Sequence, residues 1–213
     1  MNEQKTSRSF PFAVGGLVLL AAAAGIYWFQ GEARKAAPPV VATANVGGPA
    51  QAITRDMATG ALAAFLVKPD RKPVPDIAFQ DGIGGNLKLS QWRGRVVLVN
   101  LWATWCGPCR KEMPDLAKLQ QAMRSKDFEV VAISVDRKGV EASSAFLKDN
   151  GADALKLYVE PTAVILNDLQ ALGLPATLLV DRKGNEIGRL LGPADWSSPE
   201  AQALISAALA EKP

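Results

Sequence analysis

The seven residues Val96–Trp102 (VVLVNLW) run without a break into Ala103-Thr104-Trp105-Cys106-Gly107-Pro108-Cys109, and no other part of the chain constrains its fold as tightly. A run that is apolar everywhere except Asn100 has no wet face. It is a strand covered on both sides, as in a sheet with helices packed over it. Beyond the junction Met113, Leu116, Leu119 and Met123 recur at three- and four-residue spacing, the period of a helix with one buried stripe. Phe128–Val135 (FEVVAISV) is a second buried strand. Strand, helix and strand in this order make a right-handed parallel crossover.

The rest of the body extends the same pattern. Ile77–Gln80 and Leu87–Leu89 flank Asp81-Gly82-Ile83-Gly84-Gly85-Asn86, which is hairpin chemistry. Val140–Asn150 reads as a helix stopped by Gly151, Leu155–Val159 as a short strand, and Val164–Leu172 as a helix ending at Gly173. Ala176–Val180 and Glu186–Leu191 pair through the turn Asp181–Asn185, and Ser198 caps a last helix to about Ala210. The fold class is α/β: a central mixed sheet with helices on both faces. Asp56–Val67 reads as a short helix with Leu62, Phe65 and Leu66 on one side, packed on the main domain.

The amino end is different. Phe10–Phe29 (FPFAVGGLVLLAAAAGIYWF) holds no charged residue and is long enough to cross a bilayer as a helix. Tyr27, Trp28 and Phe29 suit an interface, and Arg34 and Lys35 follow. A cleaved signal peptide is the rival, because Ala21–Ala24 offers small residues, but signal cores are shorter than this run. A buried soluble helix would show a polar face, and this segment has none. Lys5 and Arg8 before the span balance Arg34 and Lys35 after it, so charge leaves the orientation close to a tie. Ala36–Ile53 is rich in Ala, Pro, Val and Gly without period and reads as a linker.

Composition excludes several function classes. The 213 residues carry 24 Lys and Arg against 21 Asp and Glu; residues 1–36 hold four and two of these, so the remainder stands at 20 against 19. A nearly neutral body lacks the basic footprint of a nucleic-acid binder. The chain has no histidine, so it offers neither Ser/His nor Cys/His catalysis and no imidazole for zinc, copper or haem.

The two cysteines, Cys106 and Cys109, therefore act as a pair. A zinc site needs four ligands, and the chain offers only these two thiols. A disulfide across a two-residue gap constrains almost no loop and adds little stability. A redox dithiol at a helix N-terminus has a mechanism, because unpaired amides and the helix dipole stabilise a thiolate there. Arg110 and Lys111 add positive charge. The helix geometry assigns roles: Cys106 at the helix mouth is the exposed attacking thiol, and Cys109, directed back into the protein, is the resolving thiol. Pro108 tolerates the first turn, and Pro114 is expected to kink the helix one turn below. Trp105 lines an exposed apolar patch, whereas Trp102, Trp92, Phe128 and Phe146 are assigned to packing.

The stretch Trp102–Pro114 (WATWCGPCRKEMP) resembles the active-site segment of membrane-anchored, periplasmic thioredoxin-like proteins, the TlpA group. The resemblance runs from about Pro75 to Leu209. It includes Gly173-Leu174-Pro175-Ala176-Thr177, Gly192-Pro193-Ala194-Asp195-Trp196 and an inserted helix and strand over Val140–Val159. It implies a thioredoxin fold and thiol:disulfide oxidoreductase activity without a cofactor or bound metal, usually as a reductant. Gly107-Pro108 is the intervening pair of thioredoxin, whose potential of about −270 mV lies roughly 7 kcal/mol from the −120 mV of the oxidant DsbA.

The resemblance also implies an organisation and a set of partners. Residues 1–9 become a cytoplasmic tail, 10–29 a transmembrane anchor, 30–54 a linker, 55–74 a short helical extension and 75–213 a thioredoxin domain. The chain is then single-pass in the inner membrane, its C-terminal domain in the periplasm. Clients are disulfide-bearing periplasmic proteins: a copper chaperone, an oxidase subunit or apocytochrome c. An integral-membrane thiol donor recharges the protein. Asp136–Val140 and the insert are expected to set client choice. Two rivals stay open: a peroxiredoxin-type peroxidase, which needs a different local motif, and a copper chaperone using Cys106 and Cys109 without the usual added histidine.

Trp105, Gly107 and Pro108 on one side, with Leu174 and Pro175 on the other, are the substrate-binding surface the resemblance implies. There the Leu174–Pro175 bond is cis and the Leu174 backbone pairs with a substrate strand; the residues alone equally allow a trans proline ending the Val164–Leu172 helix. Plain thioredoxin has a buried aspartate where this chain has Asn100, which cannot accept the proton Cys109 must lose. Glu112, three residues beyond Cys109 on the same helical face, is the candidate base if partly buried. Otherwise it is a solvated partner of a nearby Arg or Lys.

Overall fold

The computed structural model describes residues 53–212. The proposed tail, anchor and nearly all of the linker lie outside the described residues, among which no helix is long and apolar enough to cross a membrane.

The run Val96–Trp102 is β4, buried at all seven positions, and Phe128–Ser134 is β5, equally buried. They lie parallel in register from Val96 opposite Phe128 to Trp102 opposite Ser134. The crossover is helix α1, Gly107–Met123. Its Met113, Leu116 and Leu119 are fully buried, as their spacing requires. Pro114 sits inside this helix without ending it.

Around this unit stand β1 (Leu66–Val67), β2 (Ala78–Asp81), β3 (Asn86–Lys88), β6 (Tyr158–Val159), β7 (Ala176–Val180) and β8 (Glu186–Leu191). They form one eight-stranded sheet in the order β1-β8-β7-β4-β5-β6-β2-β3. Only β4/β5 and β5/β6 are parallel. The other α-helices among the described residues are α2 (Gly139–Asp149), α3 (Val164–Asp168) and α4 (Pro199–Ala210). Ser198 caps α4 by accepting from the Ala201 amide, as expected.

Three expectations are corrected. The helix read over Asp56–Val67 is instead two single turns of 3₁₀ helix, Arg55–Met57 and Gly60–Leu62, followed by β1. Gly60 takes a left-handed φ of 52°, which a continuous helix does not accommodate. Leu62 and Phe65 are buried, but Leu66 is 60% exposed, because a strand sends neighbouring side chains to opposite faces. The strand read over Leu155–Val159 shortens to Tyr158–Val159.

The third correction concerns α3, which ends at Asp168 rather than Leu172. Here Gln170 adopts φ 52°, its amide donates to the Asn167 carbonyl, and the Ala171 amide reaches back to the Leu166 carbonyl. This is a Schellman ending with glutamine in the seat glycine usually takes. Helix α2 ends the same way with Gly151 in that seat, the pattern a sequence reading anticipates.

A polar residue inside β5 shows how the sheet tolerates charge. Glu129 is buried, and its carboxylate accepts from Trp92 Nε1 at 3.2 Å and Tyr158 Oη at 2.7 Å. It also pairs with Arg95 at 2.9 Å and Lys156 at 3.1 Å. Burial alone raises this carboxyl, but the hydrogen bonds from Tyr158, Lys156 and Trp92 outweigh it and hold the group below the usual carboxylate range.

The edge strand β1 is fastened by shape. Its Val67 pairs with Gly188 of β8, and a Cβ at position 188 would lie 2.5 Å from the Phe65 ring and 2.6 Å from the Leu66 carbonyl oxygen. Gly188→Ala is therefore expected to destabilise the fold by about 1–3 kcal/mol through overpacking. A urea unfolding midpoint unchanged in this variant would show that β1 and Phe65 do not seat against β8.

Candidate functional site

The turn from β4 into α1 places the cysteine pair. Cys106 is the N-cap of α1, and its Sγ accepts a hydrogen bond from the Cys109 amide at 3.2 Å. Gly107 and Pro108 open the helix, where a missing amide hydrogen costs nothing. Cys106 and Cys109 are joined by a disulfide, so the structure holds the oxidised form of the pair.

Cys109 is wholly buried and Cys106 is 5% exposed. The order of accessibility is the expected one, but the expectation of an exposed Cys106 is corrected: in the disulfide only a sliver of it meets solvent. The exposed large apolar side chain at the motif is Trp105, at 70%. Trp102 is fully buried and stacks at 5.1 Å on Phe146 of the inserted helix, over which the Arg110 guanidinium lies at 5.5 Å.

The lip before Cys106 is braced from the turn that follows β5. Asp136, 2% exposed, accepts from the Thr104 amide at 3.2 Å and from the Thr104 hydroxyl, and its other oxygen takes the Lys138 amide at 2.9 Å. Its carboxyl lies below the usual range, because the Thr104 and Lys138 hydrogen bonds outweigh the opposing effect of burial. So enclosed, Asp136 is a brace for the motif rather than a surface a client touches.

Glu112 lies one turn beyond Cys109 and is 1% exposed. Among the described residues no lysine or arginine pairs with it. Oε1 accepts from Asn100 Nδ2 at 2.8 Å, while Oε2 accepts from the Ala194 amide at 3.1 Å and Trp196 Nε1 at 3.2 Å. Asn100 Nδ2 also donates to Thr177 Oγ1 at 2.9 Å. Burial pushes the Glu112 carboxyl up to about 7 despite the opposing hydrogen bonds from Asn100, Ala194 and Trp196. Of the two readings of Glu112 the solvated one is excluded. A nearly fully enclosed carboxyl that titrates near neutrality can accept or return a proton at physiological pH.

Across from the helix mouth the Leu174–Pro175 peptide is cis, as the resemblance implies, and α3 ends well before it. The Leu174 amide and carbonyl have no hydrogen-bond partner among the described residues. Trp105, Cys106, Gly107 and Pro108 face Leu166, Ala171, Leu172, Gly173 and Leu174 across an open groove of about 450 Å³. All five residues expected to bind substrate sit at this groove or, for Pro175, in its loop. The sequence reading missed the distant partners of Glu112, Ala194 and Trp196, 82 and 84 residues away, the Thr177 hydroxyl that accepts from Asn100, and the brace from Asp136. Trp196 was visible only as part of a familiar segment. Among the described residues no cluster of three or more His, Cys, Asp or Glu side chains is arranged to hold a metal.

Comparison with known proteins points the same way. The Redoxin family model matches residues 69–205. The thiol-disulfide oxidoreductase ResA of Bacillus subtilis is 28% identical over 118 residues, covering 55% of this chain and 65% of that protein. ResA of Geobacillus kaustophilus is 30% identical over 110 residues, 52% of this chain and 62% of the relative. The match thus spans just under two thirds of these curated relatives. A solved Chlorobium tepidum structure, described as a DsbE thiol:disulfide interchange protein, aligns with TM-score 0.59 and 31% identity over 65% of this chain and 96% of that one. The thioredoxin domain of a Bacteroides vulgatus thiol-disulfide oxidoreductase gives TM-score 0.55 and 26% identity over 62% and 96%.

The raised carboxyl has a thermodynamic signature. Glu112 binds its proton more tightly folded, near 7, than unfolded, near 4.5. The folded state therefore holds more protons between these values, and stability falls as pH rises through that window. The loss is on the order of 3 kcal/mol, and Glu112→Gln should flatten the curve and leave the variant relatively more stable above pH 7. Parallel stability curves for the two proteins from pH 4.5 to 8, measured by urea midpoint, would contradict the assignment.

Proposed function

The chain belongs to the Redoxin family, and on that premise we propose that it is a thiol:disulfide oxidoreductase that reduces protein disulfides, tethered to the inner membrane with its folded domain in the periplasm. The observation that carries the reading is the Cys106–Cys109 disulfide at the N-terminus of α1, beside an open groove and one turn from a buried carboxyl titrating near neutrality. It is supported by relatives and solved structures named for the same chemistry.

The reaction runs from the reduced pair. The Cys106 thiolate attacks one sulfur of the client disulfide, forming a mixed disulfide and releasing the client's other sulfur as a thiolate. Cys109 gives up its proton and attacks Cys106 Sγ, which expels the second client sulfur and closes the Cys106–Cys109 disulfide. Two electrons pass to the client, and each of its sulfurs takes a proton. Glu112 is the proposed acceptor of the Cys109 proton, since its pKa near 7 allows transfer in both directions. Three hydrogen-bond donors hold its carboxylate in place, so little reorganisation accompanies the transfer.

Tethering and clients belong to the same proposal. The uncharged run Phe10–Phe29 is the anchor, and residues 30–54 give the domain reach from the bilayer. In an oxidising compartment a reductant must be recharged, so a membrane thiol donor reduces the pair after each turnover. The clients are disulfide-bearing proteins of cytochrome oxidase assembly or cytochrome c maturation: a copper chaperone, an oxidase subunit or apocytochrome c.

Full-length Cys109→Ser should accumulate mixed disulfides through Cys106 that are visible on non-reducing gels, and Cys106→Ser should abolish both these adducts and disulfide reduction. Reduction that survives loss of Cys106 sinks the mechanism. Glu112→Gln should slow resolution by tenfold to a hundredfold near pH 7, in rough terms, and remove a step near that pH from the rate profile; an unaltered profile removes Glu112 from the reaction. Alkaline carbonate should leave the full-length chain in the membrane fraction, whereas its release would refute the anchor.

A further inference from the structure

The wall of the groove opposite Trp105 consists of Leu166 and the arm Ala171–Leu174. Leu172 is 92% exposed and Trp105 70%, and among the described residues no charged side chain lines the groove between them. Single exposed apolar residues are ordinary on protein surfaces, so exposure alone argues nothing. The way the arm is held argues more.

Helix α3 is bracketed by two non-glycine residues in the left-handed region, Ala163 at φ 58° and Gln170 at φ 52°. Such conformations cost free energy and persist only where the surroundings impose them. At the Gln170 end Arg189, from the middle of β8, supplies the constraint. Its Nη1 donates to the carbonyls of Leu169 at 2.9 Å and Gln170 at 3.4 Å, two groups left open by the helix end. Its Nε and Nη2 grip Glu186 at 2.5 and 2.6 Å, and the two side chains are only 14% and 12% exposed. A bidentate pair of this kind fixes the guanidinium plane and with it the height of the arm.

We propose that Leu172 reads the residue beside the client's cysteine and favours apolar side chains there, with Arg189 as the positioning residue that sets the arm. This rests on Cys106 being the attacking sulfur. While the client is bonded to Cys106, the chain flanking its cysteine lies across the groove, between Trp105 and Leu172. A charged neighbour would lose water there against apolar walls with no partner to replace it.

The test uses the reduced full-length chain and two disulfide peptides that differ only in the residue beside the cysteine, leucine in one and aspartate in the other. The wild type should favour the leucine peptide by roughly tenfold or more in kcat/KM. Leu172→Ser should erase that preference, whereas Ile83→Ser, an equally exposed apolar side chain on the β2–β3 hairpin, should leave it intact. Arg189→Met should raise KM for the leucine peptide severalfold while leaving kcat and its pH profile alone. Glu186→Gln, which loosens the brace without removing the arginine, should give a smaller rise and serves if Arg189→Met does not fold. A wild type that reduces both peptides equally, a preference that outlives Leu172→Ser, or a KM that neither brace variant moves overturns this inference and leaves the reductase reading standing. Failure to reduce either peptide overturns that reading and this inference with it.

Discussion

The placement of Cys106 depends on β4 being buried along its whole length. A strand covered on both faces and paired on both sides has one position and one register, so the residue that leaves its end is delivered to a fixed point. Four residues after Trp102 the chain is already the N-cap of α1, and the cysteine sulfur accepts the amide that starts the helix. The oxidised sulfur thus sits where a thiolate would be stabilised by unpaired amides and the helix dipole.

Three enclosed carboxyls show how partners, rather than burial, decide what such a group does. Glu129 meets two cations and two neutral donors and is held ionised. Asp136 is tied by backbone amides and a hydroxyl and serves as a brace. Glu112 has three neutral donors and, among the described residues, no cation, so desolvation prevails and its pKa climbs to about 7. Of the three, only Glu112 stands close enough to neutrality to move a proton at physiological pH.

Much of this was legible in the residue pattern because it is local. The strand–helix junction, the buried stripe of α1, the Ser198 cap and the glycine ending of α2 each follow from a few neighbouring residues. The misreadings share a cause as well. The early stop of α3 uses a glutamine in a glycine seat, made tolerable by Arg189 from a strand 19 residues downstream in the chain. The segment before β2 becomes a strand because β8 offers it an edge, not because its own residues prefer one.

By itself the sequence determined that a dithiol stands at a strand-to-helix turn in a chain without histidine, since spacing and composition suffice for that. It also determined that Glu112 shares a helical face with Cys109, because the helix period requires it. Only the tertiary structure decided that this carboxyl is enclosed with neutral donors as its partners, that Asp136 braces the motif and that an arm held by Arg189 walls the groove. Those outcomes depend on desolvation and on partners between 12 and 84 residues away, and no local pattern encodes which distant donors will arrive.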